Sequence, residues 1–288
     1  MTLTAPLPAA LPPAGDRAGS HGLDQPPGAR LGRVSGLGLG AAVIWMSLLV
    51  FIPLSAVVYK AFGGGWSSFW QAITREQALH SLELTVWSSL LVSGINAVMG
   101  TLLAWVLVRD NFPGKRIVDM VIDLPFALPT IVAGIVLLAV YGRNSPIHVD
   151  LLGTQRGVAF AMLFVTLPFV VRAVEPVLLA IDREAELAAA CLGAGPATVF
   201  RRVVLPLLLP AIASGAGLAF ARAMGEFGTV LLLSANINRA QVSSQYVFAE
   251  LENYDYVGAA AVATVLLLIS LVVIVSLDVL QRRAARRG

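Results

Sequence analysis

Arg222 and Glu226 stand four residues apart in the stretch 205–233, which holds no other charged residue. A charge near the centre of a membrane helix costs about 2.5–3.5 kcal/mol on insertion scales, and an opposite charge one turn away lowers that cost. Two kinds of chemistry fit the spacing. Arg222 facing an aqueous path would attract an anion, with Glu226 holding the guanidinium so that the anion is not trapped. Alternatively, the pair is internal to one helix and fixes its packing. Ala211, Gly215, Ala219 and Ala223 repeat at every fourth position alongside, a small-residue stripe that lets another helix approach closely.

A second candidate is Asp123-Leu-Pro-Phe-Ala-Leu-Pro129, where Pro125 and Pro129 flank Phe126 inside another apolar stretch. Each proline lacks the amide that would bond the carbonyl four residues earlier, which frees the carbonyls of Val121 and Pro125. In lipid such groups need a polar partner or a cavity. Pro125, Phe126 and Pro129 therefore either line a gate or form a kink whose neighbours satisfy the backbone. Asp119 and Asp123 read as flanking charges, and Arg172 and Glu175 as interfacial ones.

Catalytic apparatus is missing from the sequence. There is no HExxH and no GxSxG string; His21, His80 and His148 are scattered, and Cys191 stands alone. Metal and disulfide frameworks are thereby excluded. Pro113-Gly114-Lys115-Arg116 lacks the first glycine and the hydroxyl residue of a P-loop, so ATP is not bound here by that motif.

The elements that must position these residues follow from composition. Of 288 residues, 57% are hydrophobic and 13% charged, against about 25% charged in soluble domains; the mean hydropathy is +0.81. The chain lacks the polar surface to cover itself in water, so lipid must solvate most of it. Crossing about 30 Å of hydrocarbon takes roughly 20 helical residues, and six runs qualify: 37–58, 82–108, 117–141, 157–179, 205–233 and 257–280. The expected fold class is all-α, a polytopic membrane protein with six transmembrane helices.

The domains expected are a disordered tail over 1–36, rich in Pro, Ala and Gly, a six-helix membrane-spanning body over 37–280, and a basic tail over 281–288. With the N-terminus inside, Arg17, Arg30, Arg33, Arg109, Lys115, Arg116, Arg172, Arg183, Arg201, Arg202 and the four arginines of the last tail lie on the cytoplasmic side. Only Lys60, Arg75, Arg143, Arg156 and Arg239 lie outside. The positive-inside rule then puts both termini in the cytoplasm. The net charge of +3 sits at membrane flanks facing anionic lipid, which leaves no nucleic-acid partner to infer.

Between the fourth and fifth runs lies the segment 181–206, longer than a turn requires. Asp182, Glu184 and Glu186 open a short alanine-rich helix, where acids suit the positive end of the dipole. Gly193, Ala194, Gly195 and Pro196 favour a turn before a basic second helix. The result is a two-helix elbow on the cytoplasmic face. Its spacing resembles the EAA loop of ABC importer permeases: Ala188, Ala189, Gly193, Val203, Leu205 and Pro206 fit that pattern. Leu187 stands where the motif has glutamate, with Glu186 one residue earlier, about 100° round the helix.

Two further strings, Asp123-Leu-Pro-Phe-Ala-Leu-Pro-Thr-Ile-Val-Ala-Gly134 and Ala223-Met-Gly-Glu-Phe-Gly228, together with Val165-Thr-Leu-Pro-Phe-Val-Val-Arg172, resemble the sulfate/thiosulfate (CysT-type) permease family. The likeness extends over nearly all of 37–280. Gly-Glu-Phe-Gly alone also resembles molybdate/tungstate permeases; the proline string and Val242-Ser-Ser-Gln245, expected on the periplasmic side, favour sulfate.

The resemblance implies a type I importer permease of MetI-like fold in the bacterial inner membrane, non-catalytic and without a cofactor of its own. It implies as partners a second homologous permease (CysW-type) and two copies of an ABC ATPase carrying ATP and Mg. A periplasmic or lipid-anchored sulfate-binding protein would deliver substrate to the outer segments 59–81, 142–156 and 234–256, the last with a short amphipathic surface helix. It implies a coupling contact to the ATPase at Glu184, Glu186, Ala188, Ala189, Gly193, Ala194, Pro196, Leu205 and Pro206. A molybdate importer is the alternative within the class, and a channel or receptor the alternative outside it.

Overall fold

The computed structural model describes residues 33–285, apart from Asn144 and Asn236. Most of the expected 1–36 tail, and the last residues of the 281–288 tail, lie outside that range. Among the described residues every regular element is helical: α1 (Arg33–Met46), α2 (Ile52–Ala61), α3 (Gly65–Thr74), α4 (Glu76–Arg109), α5 (Lys115–Ala127), α6 (Thr130–Tyr141), α7 (Gln155–Ala180), α8 (Arg183–Cys191), α9 (Pro196–Val199), α10 (Leu205–Met224), α11 (Gly228–Leu233), α12 (Ser243–Glu252) and α13 (Tyr256–Ala285). A short unit ends at Pro53, and a larger one begins at Leu54.

Two prolines in long helices are absorbed in the same way. The π turn Ser47–Phe51 precedes Pro53, and the π turn Phe200–Val204 precedes Pro206. In the second, the Leu205 amide donates to the Phe200 carbonyl five residues back. A widened turn accommodates the bond that proline cannot make, so the helix runs on.

Five helices among the described residues are long and apolar enough to cross a membrane: Leu37–Ala61, Glu76–Arg109, Gln155–Ala180, Pro196–Met224 and Tyr256–Val279. The third run differs from expectation. It is broken into α5 and α6, and the helix axis bends by 119° between them. The break falls at Leu128 and Pro129, not at Pro125, which stays inside α5. Leu128 is extended, as the residue before a proline tends to be, and Pro129 caps α6.

The two halves of the broken pair pack at different levels of α7. Ile122 of α5 joins Val174 and Leu178 at one end of α7, whereas Leu137 of α6 joins Val158 and Met162 at the other. From Met162 to Val174 is about 18 Å of helix, and from Val158 to Leu178 about 30 Å. The described residues thus hold five spans, or six when the bent pair is counted as one, against the six runs expected. The fifth run is corrected too: its helix stops at Met224, and α11 restarts at Gly228.

The core is a trio of α4, α7 and α10, and glycines let them approach. A Cβ on Gly215 would stand 2.8 Å from the Val170 Cα and 2.9 Å from the Ala173 Cβ, and one on Gly100 would stand 2.8 Å from the Val170 Cβ. The expected Ala211 to Ala223 stripe is thus the seam with α7. Hydroxyls buried there bond their own helices: Thr85 Oγ1 donates to the Ser81 carbonyl at 2.7 Å and Ser93 Oγ to that of Ser89 at 2.7 Å, which hides polar hydrogens from lipid. Asn96 Nδ2 bonds Thr166 Oγ1 at 2.8 Å, linking α4 to α7.

At the end opposite the elbow, Arg75 ties two junctions together. Its Nη1 meets Asp255 Oδ2 at 2.9 Å and Glu250 Oε2 at 3.4 Å. The Gly258 amide, with Arg75 beside it, holds the Asp255 carboxyl below its usual value. A carboxyl depressed in the folded state stabilises above its ordinary pKa and loses that contribution as pH falls through the depressed value. The Tm difference between the native chain and Asp255→Asn is therefore expected to be largest at neutral pH and to shrink below about pH 4; thermal unfolding in detergent at both pH values measures it.

Candidate functional site: the helix breaks and the elbow

The two broken crossings meet. Gly228, the first residue of α11, lies so close to the start of α6 that a Cβ there would be 2.3 Å from Thr130 Oγ1 and 2.9 Å from the Ile131 nitrogen. A turn further on, a Cβ on Gly134 would be 3.1 Å from the Gly228 carbonyl and 3.1 Å from the Thr229 Cα. Glycine is needed at both positions because backbone touches backbone.

Glu226 sits in the break between α10 and α11 rather than inside a helix, which corrects the expectation of one continuous 205–233 element. Its carboxylate is 1% exposed and uses both oxygens. Oε2 meets Arg222 Nη1 at 2.5 Å, while Oε1 accepts from the Thr229 amide at 3.0 Å and from Thr229 Oγ1 at 2.6 Å. The pair therefore spans a helix end. Ser244 Oγ of α12 donates to the Glu226 carbonyl at 2.5 Å, holding the break from the other side. Arg222 is 31% exposed, and its guanidinium has five donors, of which Nη1 faces Glu226. A buried, fully bonded carboxylate thus presents a partly exposed cation beside two interrupted helices.

The proline residues divide. Pro129 belongs to this junction, next to Thr130. Pro125 is buried in α5, and Phe126 is 51% exposed while its ring meets that of Phe169 edge-on, centroids 5.0 Å apart. The string Val242-Ser-Ser-Gln245, expected as a periplasmic segment, is wedged into the body. Ser243 and Gln245 are buried; the Ser243 amide donates to Thr85 Oγ1 at 2.8 Å, and Gln245 Nε2 to Ser234 Oγ at 2.7 Å. Alternating hydroxyl and amide side chains satisfy one another there, which a hydropathy reading takes for an outer loop.

Asp119, Asp123, Arg172 and Glu175 form one cluster. Arg172 meets Asp123 at 2.6 and 2.9 Å, Asp119 at 2.8 Å and Glu175 at 2.5 Å. The four-residue interval between the two aspartates was the available signal, since it puts them on one face of α5. Together they clamp α5 to α7 below the bend.

The elbow is built as its spacing foretells. Asp182 caps α8 by accepting from the Glu184 amide at 2.9 Å. At the other end the Gly193 amide donates to the Ala190 carbonyl at 2.9 Å, and the Ala194 amide to that of Ala189 at 3.1 Å. Gly193 has φ +86°. This is a Schellman closure, which requires a left-handed residue four positions after Ala189. Pro196 then starts α9 with Gly195 as its cap, and Pro206 is the second residue of α10, just past the π turn. Glu184, Leu187, Ala188, Gly193 and Pro196 are exposed, whereas Glu186 pairs with Arg109 of α4. The elbow and the break lie at opposite ends of α10, so Pro206 and Arg222 are separated by about 24 Å of helix.

A polar cleft of about 690 Å³ opens at the end opposite the elbow, lined by Glu76, Gln77, His80, Gln155 and Arg239. It draws residues from all three of the segments expected to face outward.

A family model described as the inner membrane component of binding-protein-dependent transport systems matches residues 96–287. The sulfate transport system permease protein CysT of Salmonella typhimurium is 39% identical over 259 residues, covering 87% of this chain and 94% of that one. The protein of the same name from Synechococcus elongatus is 42% identical over 251 residues, covering 84% and 90%. Among solved structures, a bacterial alginate ABC transporter in complex with an alginate-pentasaccharide-bound periplasmic protein superposes with TM-score 0.73 at 18% identity, over 87% of this chain and 94% of that one. The MetNI methionine ABC transporter gives 0.55 at 19% identity, over 73% and 99%. These structural likenesses speak for the fold. Matched over residues 96–287 by the family model and over most of its length by those relatives, the chain belongs to the inner-membrane components of binding-protein-dependent transport systems, and among them to the CysT-type sulfate permeases.

Proposed function

We propose that the chain is the membrane-spanning permease subunit of an ATP-driven importer that carries sulfate, and thiosulfate with it, into the cytoplasm. The observation that carries this is identity of 39–42% with sulfate permeases over more than four-fifths of the chain. A broken, charge-bearing junction at one end of α10 and a closed elbow at the other add physical support. The chain pairs with a CysW-type permease and rests on two ATPase subunits, where ATP and Mg are bound. Both termini face the cytoplasm, by the distribution of Lys and Arg, and the polar cleft at the far end receives the sulfate-binding protein.

In this reading ATP closes the ATPase pair and pushes the elbow from Glu184 to Pro196, and the push tilts α10 so that the junction at Thr130 and Gly228 opens outward. Hydrolysis returns it. Arg222 attracts the dianion, and the bonds on Glu226 keep the guanidinium from trapping it.

Radiolabelled sulfate uptake in cells lacking the gene, with and without its restoration and with thiosulfate or molybdate as competitor, tests the assignment. Loss and rescue of sulfate uptake is the expected result. If molybdate uptake fell and sulfate uptake did not, the substrate assignment would be withdrawn. Arg222→Ala is expected to lower sulfate uptake about tenfold or more at equal membrane abundance, the scale of a lost charge-assisted contact; normal uptake would return Arg222 to a packing role.

A further inference from the structure

The elbow's carboxylate is turned inward. Glu186 pairs with Arg109 on the last turn of α4, and the Arg109 guanidinium lies 5.5 Å from the ring centroid of Trp105 one turn earlier. The Phe200 ring meets the same indole edge-on, centroids 5.1 Å apart at 87°. Phe200 opens the π turn that follows α9. Both arms of the elbow therefore bear on one turn of α4, α8 through Glu186 and the α9 side through Phe200.

The clamp is sheltered, and what lies outside it is apolar. The Arg109 side chain is 10% exposed and that of Glu186 21%, so water screens the pair less than it would a surface pair. Leu187 and Leu192, by contrast, are 63% and 90% exposed. The shift of the acid by one residue from the motif position has moved the charge to the permease side of α8 and left leucine facing out.

We propose that Glu186 acts within the chain as a positioning residue: with Arg109 and Trp105 it clamps the elbow to α4, so that a push on the elbow moves α4 instead of pivoting the elbow on Gly193. The surface offered to the ATPase at this place is then the apolar one of Leu187 and Leu192. This rests on the coupling role given to the elbow above. From α4 the displacement passes to α7 through the bare contact of Gly100 with Val170 and the bond from Asn96 to Thr166.

The test is sulfate imported per ATP hydrolysed by the complete complex, with its binding protein, in liposomes. Glu186→Ala is expected to leave the complex assembled and hydrolysing ATP, yet to lower that ratio by about tenfold. Glu186→Gln, which keeps an acceptor without the charge, should fall between. Exchanging the charges in Glu186→Arg with Arg109→Glu should recover about half of the native ratio, which a purely local packing defect would not allow.

The proposal is overturned if Glu186→Ala strips the ATPase from an otherwise intact permease pair, if the ratio is unchanged, or if the exchange does no better than either single variant. Should Glu186→Ala fail to accumulate in the membrane, Trp105→Leu decides by the same ratio. Leu192→Asp separates this proposal from the reading beneath it: release of the ATPase is expected. If Leu192→Asp and Gly193→Pro both left assembly and uptake intact, the elbow reading itself would fall, whatever Glu186 does.

Discussion

Gly193→Pro is expected to abolish sulfate uptake while the protein still reaches the membrane. Gly193 sits at φ +86°, which the proline ring forbids because it holds φ near about −65°. The substitution also removes the amide that donates to the Ala190 carbonyl at 2.9 Å. No space is lost, since a Cβ at this position would meet nothing within 4 Å; the damage is to chain direction and to that closing bond. The closure of α8 would open, and α9 would leave α8 at another angle. Because the elbow lies outside the α4, α7 and α10 trio, the body should fold as before. Gly193→Ala makes the comparison. It keeps the amide and pays only the left-handed penalty of about 1–2 kcal/mol, so uptake should fall partway. Uptake by Gly193→Pro at more than about a tenth of native, with equal abundance by immunoblot, would remove the coupling assignment.

Gly228→Val is expected to be as severe for a different reason. Here the backbone angle is ordinary and the space is absent: a Cβ would stand 2.3 Å from Thr130 Oγ1 and 2.9 Å from the Ile131 nitrogen. The hydroxyl could rotate away, but the backbone nitrogen could not. Forcing the two breaks apart costs on the order of 1–3 kcal/mol, and it does so where the junction must close. Sulfate uptake below about a tenth of native is the expected result, with binding-protein-stimulated ATP hydrolysis measured alongside. Gly228→Ala should be milder, and Thr130→Gly in the same chain should restore part of its loss, because the Thr130 Cβ at 2.9 Å is the other obstacle. Independent effects of the two substitutions would show that the junction does not work as a contact.

What the sequence disclosed and what it hid divide along physical lines. The elbow was legible because its spacing is imposed by local geometry: a Schellman closure fixes how far a glycine stands from Ala189, and Pro196 and Pro206 each suit a first helical turn. The seam of Ala211, Gly215, Ala219 and Ala223 was legible for the same kind of reason, since a period near four is a helix face. Hydropathy, however, sees an apolar run and not its direction. It joined α5 to α6 and α10 to α11, although Pro129 bends the first pair and Gly225 to Phe227 interrupt the second. The residues that make the breaks meet, Thr130 and Gly228, lie nearly a hundred positions apart and carry no charge, so nothing local marks them. Glu186 shows the converse. Its acid was visible and its side of the helix could be reckoned, but the partner that occupies that side, Arg109, is supplied by tertiary packing.

The π turn Phe200–Val204 takes up one residue without changing the angular phase of the helix beyond it. A turn of this kind holds one residue more than the regular helix would, and α10 follows it without interruption as far as Met224. Deleting the surplus residue would restore ordinary winding and leave the downstream azimuth nearly unchanged, whereas deleting one from the regular winding between Leu205 and Gly215 would rotate everything beyond it by about 100°. Each side chain of the elbow and each of the junction would survive, yet Arg222 would point along a new azimuth and Gly215 would no longer meet Val170. The bearing of the cation is thus set not by its neighbours alone but by the residue count of the regular helix that leads to it, and the π turn is the one place in this segment where a residue can be lost without turning it.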